Sequence, residues 1–114
     1  MNYTLQDLSS IKDLMGEAFP HLVQTYVKNM KLYTQNIAQG FEAQDAEMIK
    51  NSAHPLKSSS RNLCNTLLAD VAEALEDKSK QIMDGELAFA DIAADVEKIP
   101  SLADASEDAF REYL

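Results

Sequence analysis

Four stretches of this chain place apolar residues three and four positions apart, and no extended β-branched run competes with that pattern. Such spacing is the period of the α-helix, so each stretch presents one apolar face that another helix must cover. The last stretch is the clearest. Phe89, Ile92, Val96, Ile99, Ala103, Ser106, Phe110 and Tyr113 alternate steps of three and four without a slip, straight through Pro100. That register predicts one long helix bent near Pro100, or two coaxial pieces.

The other three read similarly. From about Glu17 to Gln39 the stripe is Phe19, Leu22, Tyr26, Met30, Tyr33 and Ile37, widened by Val23 and Val27. Pro20 falls in the first turn, where it is tolerated, and Gly40 is placed to end the helix in a left-handed cap. A further helix spans about Asn65 to Met83, with Leu67 or Leu68, Val71, Leu75 and Ile82 inward and Asp84-Gly85 as its closing turn. Between these, a helix begins near Asp45, a good N-cap. Met48, Ile49, Ser52 and Leu56 hold one register across Pro55, which favours a single kinked helix over a fresh start at Ser52. Ahead of all four, Thr4 to Met15 carries Leu5, Leu8, Ile11 and Leu14 or Met15, with Thr4 and Asp7 resembling a capping box. The expected fold is all-α: an antiparallel up-down four-helix bundle with a short extra N-terminal helix.

Residues 1–114 should form a single domain, large enough for its own core. The net charge of −9 argues against nucleic acid, which rewards clustered Lys and Arg. The charge is also unevenly placed. Residues 1–62 hold six basic and six acidic side chains, whereas residues 63–114 hold four and thirteen, so the whole excess follows the midpoint. Cys64 is the sole cysteine, so no internal disulfide forms. No apolar run approaches the ~18 residues of a membrane span, and no basic-then-apolar leader opens the chain. These features predict a cytoplasmic protein with no membrane partner. The lack of a surplus apolar helix face favours a monomer, and the opening Met1 favours a complete protein.

The residues with chemistry lie in Ala53-His54-Pro55-Leu56-Lys57-Ser58-Ser59-Ser60-Arg61-Asn62-Leu63. On a helix, at about 100° per residue, His54, Lys57, Ser58 and Arg61 share one stripe, which Lys50 and Glu47 extend backwards. Ile49, Ser52, Leu56, Ser59 and Leu63 face the other way, towards a core. A histidine is thereby offered to solvent from rigid backbone, with cations beside it.

This stretch, with Asn62-Leu63 and the later Leu75-Glu76, resembles the histidine phosphotransfer (HPt) domain, whose pattern is roughly A-H-x-L-K-G-S with a later L-E. The resemblance implies a phosphorelay intermediate, taking a phosphoryl group from a receiver-domain aspartate and passing it to another receiver. It places His54 at the phosphoacceptor position and Lys57 at the family's lysine. Ser58 stands where the family usually has glycine, and Cys64 replaces a second frequent glycine. Lys57 is suited to phosphate oxygens, while Lys50, Ser58 and Arg61 are candidates for partner contact. The implied partners are a hybrid sensor kinase and a response-regulator receiver domain. No cofactor of its own is implied, and magnesium would reside in the receiver. A Gly-rich phosphate loop is absent from the sequence, so autophosphorylation from ATP is not expected. The alternative is a phosphate-independent helical adaptor on the same fold. A phosphohistidine phosphatase would need an opposed general acid, and only Glu47, on the same stripe, is offered.

Overall fold

The computed structural model describes residues 8–113. The polypeptide folds into an elongated body of 46 × 25 × 19 Å. Its long helices are α2 (Phe19–Glu42), α3 (Ala46–Asn62), α4 (Thr66–Met83) and α5 (Ala93–Phe110), preceded by the short α1 (Leu8–Met15). Each long helix packs on its neighbour in the chain, and α5 closes the ring against both α2 and α4. No strand occurs among the described residues. The architecture is the expected antiparallel bundle.

The core is made by the residues whose spacing announced it. Val23, Met30 and Ile37 of α2, Ile49 and Leu56 of α3, Leu68 and Leu75 of α4 and Ile99 and Phe110 of α5 are essentially inaccessible. Burying each such side chain contributes about 1.5–3 kcal/mol against the entropy of ordering the chain. Of the pair left open above, Leu68 turns inward while Leu67 stays 44% exposed. On α1, Leu8 is buried and Ile11 packs on the core, but Leu14 and Met15 are exposed. The Leu5 position and the Thr4–Asp7 capping box lie outside the described residues.

Asp45 is the N-cap of α3, its carboxylate accepting the Met48 N–H at 3.1 Å. Pro55 lies within one continuous helix, as the unbroken register requires. Ser59 Oγ donates to the Pro55 carbonyl at 2.8 Å on the following turn. Pro100 likewise sits inside an unbroken α5 and is exposed. The register of that stretch continues at both ends in 3₁₀ turns, Phe89–Ile92 before it and Arg111–Tyr113 after it.

One expectation is corrected. Gly40 does not end α2, which runs on to Glu42. A Cβ at Gly40 would lie 2.9 Å from Ile49 Cγ1 and 3.2 Å from the Asp45 carbonyl oxygen, so the glycine serves the close approach of α2 to α3. The left-handed residue is instead Gln44, at φ 54°. Asp45 N–H then donates to the Gly40 carbonyl at 2.8 Å and Gln44 N–H to that of Phe41 at 3.2 Å, the paired bonds of a Schellman motif. The same closure recurs after α3, where Cys64 has φ 59°, and after α4 at Gly85, φ 81°. These tight reversals set α2, α3 and α4 antiparallel.

Candidate functional site

The middle of α3 faces the middle of α4, and this pairing builds the site. His54 projects from α3 with 62% of its side chain exposed. Opposite it on α4 lies Glu76, on the inward stripe Leu68-Ala72-Leu75-Glu76-Ser79 and only 7% exposed in its side chain. A buried carboxylate demands partners, and α3 supplies two. His54 Nδ1 lies 2.6 Å from Glu76 Oε2, and Lys57 Nζ donates to Oε1 at 2.6 Å. Lys57 is itself drawn down onto the bundle, its side chain 20% exposed.

The electrostatics follow from this geometry. Burial pushes the Glu76 carboxyl up, but hydrogen bonds from Lys57 and His54 and the charge of Lys57 outweigh it and hold the group below its ordinary 4.5. Glu76 is therefore an anion near neutral pH and can only accept hydrogen bonds. The bond at Nδ1 then requires the proton on Nδ1, so in the neutral ring the lone pair is on Nε2. That nitrogen belongs to the exposed ring. In its neutral form the ring therefore presents Nε2 as an oriented nucleophile, backed by a buried negative charge and open to another molecule.

The remaining predicted residues are distributed differently. Ser58 is exposed beside His54 and leaves its approach uncluttered. Arg61 is turned towards α4, bonding Glu73 and lying 3.9 Å from Asp70, so its charge is shared with two carboxylates of the same bundle. Lys50, one turn before His54, is half-buried and makes no ion pair among the described residues. The structure thus joins His54 and Lys57 through Glu76, and does not gather Lys50 and Arg61 around the ring. Reading the motif by itself gave Glu76 no role. The signal was present, however, as a lone charged residue on the buried stripe of α4.

Two comparisons with known proteins bear on this site. A family model described as the Hpt domain matches residues 21–109. The fold superposes on the crystal structure of histidine-containing phosphotransfer protein B (HptB) from Pseudomonas aeruginosa PAO1 with a TM-score of 0.83. That match is 26% identical in sequence and covers 95% of this chain and 91% of the other. No curated protein matches the chain.

Proposed function

Because the chain belongs to the Hpt domain family, whose members carry phosphoryl groups on histidine in phosphorelays, we propose that His54 Nε2 is its phosphoacceptor. The observation that carries this assignment is the 2.6 Å bond from Nδ1 to an ionised, buried Glu76 on a ring that is otherwise exposed. In the reaction, the Nε2 lone pair attacks the phosphorus of a receiver's aspartyl phosphate in line with the leaving carboxylate. The N–P bond forms, the P–O bond to aspartate breaks, and the aspartate departs as a carboxylate. The ring keeps its Nδ1 proton and becomes cationic, a charge that Glu76 is placed to stabilise. No proton need leave His54, and the return transfer retraces the same path.

Lys57 reaches the incoming phosphoryl oxygens with its ammonium group, one turn from the ring. Ser58 leaves space for the receiver surface, Lys50 is a contact for the receiver's acidic pocket, and Arg61 becomes one when the receiver draws it from Glu73 and Asp70. Magnesium is held by the receiver, not by this chain. The donor is the receiver domain of a hybrid sensor kinase and the acceptor a response regulator. This is a carrier rather than a kinase. No helix among the described residues is long and apolar enough to cross a membrane.

The test is phosphotransfer from a phosphorylated receiver domain to wild type and to His54→Gln. Acid-labile, base-stable label on the wild type alone is expected. Equal labelling of both proteins, or none on either across a panel of receivers with the helices intact, would overturn the assignment and favour the phosphate-independent adaptor.

A further inference from the structure

We propose that Lys80 is the reserve cation of the His54 site, closing on Glu76 when Lys57 turns from that carboxylate to the phosphoryl group. The inference rests on the carrier reading above and assigns a positioning residue to it. Lys80 lies one turn after Glu76 on α4, with Nζ 4.0 Å from Glu76 Oε2. That is the oxygen bound to His54 Nδ1, whereas Lys57 holds the other oxygen. Since α3 and α4 run antiparallel, Lys57 approaches the carboxylate from the Arg61 side and Lys80 from the Lys50 side. The two lysines also differ in freedom. Lys57 is 20% exposed and already bonded, whereas Lys80 is 55% exposed and makes no closer ion pair among the described residues.

Charge balance gives the second cation its task. With the ring in the neutral form that can attack phosphorus, the carboxylate is balanced by Lys57 and hydrogen-bonded by Lys57 and His54. Phosphorylation brings about two negative charges to Nε2 and one positive charge to the ring. The site then carries one negative charge more than before. As Lys57 turns outward, Oε1 loses its only ammonium donor in a pocket where an unpaired carboxylate is strongly disfavoured. Lys80 needs only a rotamer change to make up the difference. Other cations are less suited. Arg61 is committed to Glu73 and Asp70, Lys50 lies on α3 beyond ion-pair distance of Glu76, and neither α2 nor α5 places a cation within that distance among the described residues.

The experiment measures how phosphoryl groups divide at equilibrium between a receiver domain and wild type, Lys80→Gln or Lys80→Arg. Lys80→Gln should lower the share on His54 about threefold, the scale of a partly exposed ion pair, and Lys80→Arg should restore it. The unfolding midpoint should not move. Receiver affinity should also be equal for His54→Gln with and without Lys80→Gln, which separates a charge-balancing role from a docking one. An unmoved equilibrium in Lys80→Gln overturns the inference, as does a fall matched by equal loss of stability or of receiver affinity. A wild type that exchanges nothing with any receiver overturns the carrier reading and this inference together. Normal wild-type exchange beside an unaltered Lys80→Gln overturns this inference alone.

Discussion

Helices α3 and α4 take part in two polar clusters that begin only six residues apart on α3, at His54 and at Ser60, and the two are built to opposite specifications. Around Ser60 the cluster is neutral and closed. Tyr26 Oη pairs with Ser60 Oγ at 2.7 Å, and Asn65 Nδ2 donates to Tyr26 Oη at 2.8 Å and to Ser106 Oγ at 3.0 Å. These four side chains join α2, α3, the start of α4 and α5, and all are buried. Around His54 the cluster is charged and open, running from a buried carboxylate to a ring in solvent. A closed neutral network can only fix how helices meet, whereas an open charged one can exchange with another molecule. Substitutions in the first should therefore register as stability and those in the second as transfer.

The largest separation is expected at His54. Replacing it with Gln should abolish transfer, by about a thousandfold or more, because no other nucleophile of the site can take the phosphoryl group. Stability should fall by no more than about 1 kcal/mol, because the Gln amide can still donate to Glu76 while Lys57 keeps its own bond. A denaturant titration beside the transfer assay checks both. A large loss of stability would erase the distinction between the clusters.

Glu76→Gln should come next, with transfer slowed about 10- to 100-fold, by analogy with the loss when the hydrogen-bond partner that orients a metal-ligating histidine is removed. An amide still fits but no longer fixes the Nδ1–H tautomer by charge or stabilises the cationic ring. The same variant tests the acid response. The folded Glu76 carboxyl sits below its ordinary 4.5, so as pH falls past that value the unfolded chain takes up this proton first. Its contribution is full above that value and is lost on acidification through the lower folded one. Unfolding measured at about pH 6 and about pH 3 should show a smaller acid loss in Glu76→Gln than in wild type. Parallel losses would mean that the carboxylate is not held down by Lys57 and His54.

Tyr26→Phe tests the closed cluster. It deletes the hydroxyl shared by Ser60 and Asn65 and leaves both buried partners short of a bond, at a cost of about 1–3 kcal/mol. Transfer at a temperature where the protein stays folded should equal wild type. Slowed transfer would show that the two clusters communicate along α3.

How much of this was legible depended on whether the cause was local. The α5 register from Phe89 to Tyr113 and the inward Ile49, Ser52 and Leu56 of α3, with Leu63 just after it, were readable because apolar spacing along one helix determines which face is buried. Ser59, expected inward, is half-buried, and Ser60 takes the buried place. His54 and Lys57 were readable for the same reason, as neighbours on one stripe. Glu76 takes its role from a partner 22 residues away, and Asn65 pairs with residues 39 and 41 away. No helical period reports such pairings. Arg61 looked free on its own stripe because Glu73 and Asp70 approach it from another helix. Gly40 was misread because a glycine near a helix end suggests a cap, when the requirement here is the space taken by Ile49.

The smallest expected effect concerns the turn that carries the closed cluster. Gln44 and Cys64 occupy matching left-handed positions, φ 54° and 59°, each after a helix and each closed by the same pair of backbone bonds. A Cβ is disfavoured in that region, although glycine also gains entropy in the unfolded chain, so the net benefit of glycine is small. Gln44 is exposed, and Gln44→Gly should stabilise by about 0.5 kcal/mol. Cys64 meets the same backbone demand but packs against the core cluster. Cys64→Gly should therefore gain less, or lose slightly, because the thiol's contacts offset the relieved strain. The difference between the two variants, read from paired denaturant titrations, measures what the Cys64 side chain contributes where α3 hands over to Asn65. Equal gains would mean that the thiol contributes nothing and that backbone geometry alone governs this turn.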